Sequence, residues 1–265
     1  MSKINWKSQS IVLTGACGGL GIQLAELLSA KGAKLLLLGR SEPELTALAG
    51  HLQQDYLVLD LCASDAISHL HQFIEQKNLR ITGLINNAAT THEGLLEDAT
   101  SEDIRRVIDT NLTVPVALIH RLLPRLRANH GWVMNIGSVF GAIGFPGQAL
   151  YCASKFGLRG FSEALQRELQ PEDVRVLYCA PRAIQTQLNN GVISRLNQQL
   201  KTSADATEWV AQQIVHQIEQ QQPLKTLGWP EKLFARLNGL LPELVNRSMK
   251  KPRILLHQLI KEKSL

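Results

Sequence analysis

Ser10-Ile11-Val12-Leu13-Thr14-Gly15-Ala16-Cys17-Gly18-Gly19-Leu20-Gly21 is a short apolar run that breaks on glycines and opens a segment of helical period. A fully apolar run of this length suits a strand buried on both faces, and glycines directly behind it suit a tight turn into a helix. The same rhythm continues downstream. Lys34 to Leu38, Tyr56 to Leu59, Gly83 to Ile85, Val133 to Ile136 and Val174 to Cys179 read as further strands, with a weak seventh around Lys225 to Leu227. Between them lie helical segments, including Gly19 to Lys31, Ser64 to Lys77, Ser101 to Asn129 and Gln148 to Leu169, with Ser64 and Ser101 as N-cap residues. Strands alternating with helices predict an α/β fold with a parallel sheet covered on both faces. Gln217 to Gln222 reads as a solvated helix end.

The glycine turn carries a second implication. Glycines between a strand and a helix let the backbone approach a pyrophosphate, while the helix N-terminus offers free N–H donors and positive dipole. In dinucleotide folds, a carboxylate at the end of the second strand holds the ribose 2′-hydroxyl of NAD. Here Leu38-Gly39-Arg40-Ser41 has none, and Arg40 presents donors matched to a 2′-phosphate, so NADP(H) is expected over NAD(H). The bland alternative is a solvated arginine.

Tyr151 has a lysine, Lys155, four residues on, on one face of an expected helix, with Ser138 at the end of the preceding strand. Bringing a phenol from a pKa near 10 to about 7 takes roughly 4 kcal/mol, which an ammonium in a desolvated cleft can supply. Tyr151 is then expected to exchange a proton with a carbonyl or alcohol oxygen that Ser138 holds.

With these motifs in order, residues 8 to 190 resemble the short-chain dehydrogenase/reductase family, in its roughly 250-residue branch. That resemblance implies a single Rossmann-type doubly wound sheet of six to seven strands. It places Thr14, Gly15, Gly19, Leu20 and Gly21 at the cofactor phosphates and Asp60 at the adenine. Asn86-Asn87-Ala88-Ala89 matches a motif bracing the central sheet, with Asn87 beside the cofactor and Ala89 where glycine is usual. Asn111, Ser138, Tyr151 and Lys155 match the catalytic tetrad, Asn111 and Lys155 holding a proton-relay water and Lys155 also bonding the nicotinamide ribose. Pro181 and Thr186 match the segment lining the nicotinamide. Arg182 stands where the family usually has glycine, and reads either as a selector of acidic substrates or as an arginine turned to solvent.

Substrate choice is expected from His92 to Ala99, Val139 to Ala149 and Ala183 to Gln199, which carry Leu95, Leu96, Phe140, Phe145, Leu188, Ile193 and Leu196. Ser138, Phe140, Phe145 and Leu188 are the expected substrate contacts. An apolar carbonyl or alcohol follows.

Charge divides the 265 residues unevenly. Residues 1 to 223 carry 19 Lys/Arg against 20 Asp/Glu, and residues 224 to 265 carry nine against three. The formal +5 therefore belongs to the tail, which argues against a nucleic-acid-binding core. Residues 1–228, including a substrate loop at 182–203, are expected to form the catalytic domain, and 229–265 a basic amphipathic helical extension. That extension is expected to cover the protein's own cleft or a neighbouring subunit, with peripheral membrane contact as the alternative. Cys17, Cys62, Cys152 and Cys179 are scattered, suggesting free thiols and no metal site. No apolar run reaches the roughly 18 residues of a membrane span, so a cytoplasmic location is expected, with the tail at a membrane surface as its variant. Relatives imply a homodimer or homotetramer. Rival functions are a nucleotide-sensing binding protein without turnover, and another chemistry on the same scaffold such as epimerisation.

Overall fold

The structure is a computed structural model describing residues 4–170, 173–186 and 191–263. Among these, seven strands form one parallel sheet in the order β3-β2-β1-β4-β5-β6-β7: β1 Ser10–Thr14, β2 Lys34–Gly39, β3 Asp55–Val58, β4 Gly83–Asn86, β5 Trp132–Ile136, β6 Arg175–Ala180 and β7 Leu224–Thr226. Connecting them are α1 Gly19–Ala30, α2 Glu42–Leu52, α3 Ala66–Gln76, α4 Ser101–Ile108, α5 Val114–Ala128, α6 Ala149–Glu168, α7 Val192–Gln199 and α8 Thr207–Glu219.

The leucine run of β2 shows why this sequence makes a two-sided sheet. Successive side chains on a strand point to opposite faces. Leu35 and Leu37 join α1, α2 and α8 on one side, whereas Leu36 and Leu38 join α3, α5 and α6 on the other. Each such burial contributes about 1.5–3 kcal/mol. Strand order reverses direction between β1 and β4, so a crevice opens at their carboxyl ends, where ligands of such sheets bind.

Four expectations change in the helices. The helix expected from Ser101 is capped by Thr100, whose side chain accepts from the Asp103 N–H while Asp103 bonds back to the Thr100 N–H. That reciprocal pair needs a carboxylate three residues on, and only position 100 has it in register. Ser64 likewise gives way to Asp65 at the head of α3. The long Ser101 to Asn129 segment is interrupted by a wide π-turn at Asp109–Thr113. Pro115, in the first turn of α5, has no N–H for the carbonyl of Asn111 four residues back, so the regular ladder fails there. Gln217 is fully buried rather than solvated, and donates to the carbonyls of Tyr178 and Gln222.

Beyond β7 the extension forms α9 Glu231–Leu240, α10 Pro242–Ser248 and α11 Lys250–Lys263. Leu256 and Leu259 of α11 pack on Ile193 and Leu196 of α7, with Leu95 and Phe145 beside them. The extension thus covers the substrate loops. Ile193 and Leu196, expected to face substrate, are spent on this packing.

Candidate active site

Every group described next hangs from the carboxyl edge of the sheet. Gly15 leaves β1 with φ +64, a conformation that favours glycine, and a Cβ there would lie 2.8 Å from the Ala88 Cα. A Cβ on Gly21 would collide with the Gly15 carbonyl. The loop is held open by its neighbours: Thr14 Oγ1 accepts from the N–H groups of Asn87 and Ala88 at 2.9 and 3.0 Å, and Asn87 Nδ2 donates to the Thr14 and Gly15 carbonyls, both at 3.0 Å. Asn87 therefore acts on the loop that would cradle phosphates. Leu20, expected among the cofactor contacts, turns its side chain into the core, leaving only its backbone at the helix N-terminus. Thr186 stands over the loop, its methyl 3.4 Å from where a Cβ on Gly19 would be.

Arg40 is exposed at the end of β2 and, among the described residues, has no ion-pair partner. Asp60 is exposed after β3 and accepts from the Cys62 N–H at 3.0 Å. A backbone cradle that only glycine fits, at a helix N-terminus, suits the phosphates of a dinucleotide.

On the other side of the crevice, α6 carries Tyr151 and Lys155. They share a face: the Lys155 ammonium is 5.6 Å from the Tyr151 ring centre and donates to the Ile136 carbonyl at 3.0 Å. Ser138 Oγ accepts from the Phe140 N–H at 3.1 Å, and the Ser138 side chain lowers the Tyr151 phenol against the effect of burial. Burial pushes the Tyr151 phenol up to about 12 all the same, and pushes Lys155 down to about 8. This corrects the expectation of an acidified phenol in the resting protein. Desolvation disfavours both charges, and it outweighs the lowering by Ser138 at the phenol.

Asn111 sits fully buried in the π-turn. Its Oδ1 accepts from the Thr90 N–H at 2.8 Å, and its Nδ2 donates to the Thr90 carbonyl at 2.8 Å and to Ser154 Oγ at 3.0 Å. Only its backbone carbonyl is left to face a ligand, the group that Pro115 cannot satisfy. Thr90 and Ser154 were invisible as partners in the sequence, since nothing local pairs them with Asn111. Nor did any local signal single out Gln148, which is buried beside the cleft and accepts from Thr91 Oγ1 at 2.8 Å.

Phe140 stacks on Phe145 at 5.0 Å and meets Tyr151 edge-on at 6.4 Å, giving that tyrosine an apolar wall. Leu188 lies outside the described residues. Pro181 is buried, its carbonyl accepting from the Val139 N–H at 2.9 Å.

Arg182 follows neither expectation. Its guanidinium grips Asp205 with two bonds, 3.0 Å to Oδ2 and 2.6 Å to Oδ1, donates to the Trp229 carbonyl at 3.1 Å and approaches Glu231 at 3.7 Å. The side chains of Arg182 and Asp205 are only 18% and 12% exposed. It ties the segment after β6, where the substrate loop at 182–203 begins, to the start of the extension. Among the described residues no His, Cys, Asp and Glu group could hold a metal.

Comparison with known proteins fits this geometry. Residues 9–197 match the family described as short chain dehydrogenase. The chain is 30% identical over 257 residues to an uncharacterized oxidoreductase, YxnA, of Bacillus subtilis, covering 92% of this chain and 72% of that one. It is 32% identical over 192 residues to the 3-oxoacyl-[acyl-carrier-protein] reductase FabG of Escherichia coli, covering 71% of this chain and 79% of that enzyme. Among solved structures, a short-chain dehydrogenase from Sphingobium yanoikuyae in complex with NADPH superposes with a TM-score of 0.77 at 25% identity, covering 90% of this chain and 95% of its own.

Proposed function

Because the chain belongs to the short-chain dehydrogenase family, we propose that it is an NADP(H)-dependent oxidoreductase interconverting a carbonyl and an alcohol, with an apolar substrate. The observation that carries this reading is the buried Lys155 ammonium held by the Ile136 carbonyl 5.6 Å from the Tyr151 ring. Thr14, Gly15, Gly19, Gly21 and the Leu20 backbone would hold the cofactor's phosphates, Arg40 its 2′-phosphate, Asp60 its adenine, and Pro181, Thr186 and Lys155 its nicotinamide end. When bound, the cofactor supplies or accepts hydride.

The protein's own residues handle the proton. With its phenol near 12, Tyr151 is neutral at pH 7 and can donate to a carbonyl oxygen that Ser138 holds. Lys155, near 8, is mostly cationic at that pH. Once Tyr151 has donated, a phenolate whose ring centre lies 5.6 Å from that cation gains on the order of 3 kcal/mol at an effective dielectric near 20. The ammonium thus favours the charge that develops during transfer. The Asn111 carbonyl and Lys155 would hold the water that restores the proton.

Phe140 and Phe145 support an apolar substrate. The FabG relative, by name a reductase of oxoacyl groups, supports including acyl thioesters among candidates. Residues 229–265 act as a cover over the substrate loops carried by the 1–228 domain. The protein would work in the cytoplasm as a homodimer or homotetramer, a reading supported by Ile104 on α4 and Phe156 on α6, both exposed.

NADPH consumption over ketones, aldehydes and acyl thioesters tests the assignment, with Tyr151→Phe as control. Removing the proton donor should lower turnover by about 10²–10⁴-fold while NADPH binding, read by fluorescence, is retained. No turnover of any carbonyl by wild type, or full activity of the Phe variant, would overturn it.

A further inference from the structure

Among the described residues, twelve large apolar side chains are exposed, and six of them fall between positions 229 and 254: Trp229, Leu233, Leu240, Leu241, Leu244 and Ile254. Such a concentration in one short stretch is unlike the scatter of apolar residues on an ordinary surface. Leu233, Leu237 and Leu240 follow one another on a single face of α9. Leu240, Leu241 and Leu244, exposed at 77%, 55% and 54%, surround the break between α9 and α10 and form an apolar corner.

The inner side of these helices is accounted for. Val245, Leu256 and Leu259 are buried, and Asn238 donates to the Ala142 carbonyl at 2.9 Å, seating α9 on the loop beside Ser138. The outer leucines have no such duty. Arg236, Arg247 and Lys251 flank them in the chain, all exposed and, among the described residues, without a carboxylate partner, whereas Lys250 and Arg253 line a cavity with Phe145, Ala149 and Cys152. Of the nearby acids, Glu231 is engaged by Arg182, leaving Glu243.

We propose that the α9–α10 corner docks this protein on an anionic lipid surface, its leucines entering the interfacial layer and its cations lying against the headgroups. An apolar tip ringed by unpaired cations has the chemistry of an interfacial helix. A second copy of the chain fits poorly, because a two-fold contact would set cation against cation. An apolar corner that protrudes also suits a broad deformable surface better than a peptide needing a groove. Docking by this corner would bring the lid and the substrate loops beneath the extension close to the membrane. The inference goes beyond the reaction assigned above and does not depend on it.

Full-length protein is floated with phosphatidylcholine vesicles and with vesicles of phosphatidylcholine and phosphatidylserine. Wild type should rise with the anionic vesicles only, and raised salt should release it, since screening weakens the charged contribution. A triple variant, Leu240→Ser with Leu241→Ser and Leu244→Ser, should bind the anionic vesicles about tenfold less or weaker. A second, Arg247→Glu with Lys251→Glu, should lose the preference for phosphatidylserine. Urea unfolding midpoints and far-UV circular dichroism, unchanged in both, verify that they are folded. The proposal is overturned if wild type fails to float, if the leucine variant floats as well as wild type, or if that variant's mass in sedimentation drops from dimer to monomer, which would assign the corner to a second copy.

Discussion

Replacing Lys155 with methionine should make the protein more stable at neutral pH while abolishing turnover. Lys155 is 2% exposed and its ammonium is pushed from 10.5 to about 8 by burial. At about 1.4 kcal/mol per pH unit, keeping that charge in the folded state costs on the order of 3 kcal/mol at pH 7. Methionine fills a similar volume with no charge, but leaves the Ile136 carbonyl without its donor, a loss of about 1 kcal/mol or more. The net gain expected at pH 7 is about 1–2 kcal/mol by the same reckoning. Its pH dependence is the sharper signal. Between about pH 8 and 10.5 the unfolded wild type binds more protons at this site than the folded wild type, so wild-type stability rises with pH there and the penalty disappears. The advantage of Lys155→Met should therefore shrink by about 3 kcal/mol between pH 7 and 10.5. Urea unfolding of both proteins at the two pH values measures it. An advantage that does not change with pH, or a methionine variant less favoured at pH 7 than at 10.5, would refute the argument.

Carbonyl reduction by wild type should fall as pH rises through about 8, where Lys155 loses the charge that favours the developing phenolate; a rate flat to pH 10 contradicts this. Arg40→Ala should weaken NADPH binding by about ten- to a hundredfold, the worth of a charge-assisted hydrogen bond to phosphate, and leave NADH binding unchanged in a fluorescence titration. Arg182→Ala strands the Asp205 carboxylate, 12% exposed, and should cost about 2–3 kcal/mol in chemical denaturation. Protease should then cut the 229–265 extension faster than in wild type, and equal cutting rates would remove Arg182 from that role.

The sheet was legible because its information is local. Four consecutive leucines after Lys34 can be buried only if both faces of the strand are covered, and a glycine turn behind β1 can lead only into a helix that packs back. The tyrosine, lysine and serine were legible by spacing alone, since a four-residue step fixes their common face. What periodicity could not carry was the state of those groups. Whether an ammonium acidifies a phenol depends on how dry the site is, and burial arises from residues as distant as Ile136 and Phe145. The same holds for Asn111, whose side chain is consumed by Thr90 and Ser154, so that only the carbonyl beside Pro115 is free to act.

Arg182 shows what local patterns miss altogether. It replaces a glycine expected of the family, and its three partners lie 23, 47 and 49 positions later, at Asp205, Trp229 and Glu231. The match to the family ends at residue 197, whereas the extension begins at 229. A glycine has no side chain to reach either carboxylate, and without Asp205 and Glu231 an arginine at the mouth of the crevice would carry a half-buried, unpaired charge. The departure at one position and the added helices are thus two parts of one ion cluster. That cluster fixes the extension over the lid, which leaves the outer leucines of α9 and α10 facing away from the fold.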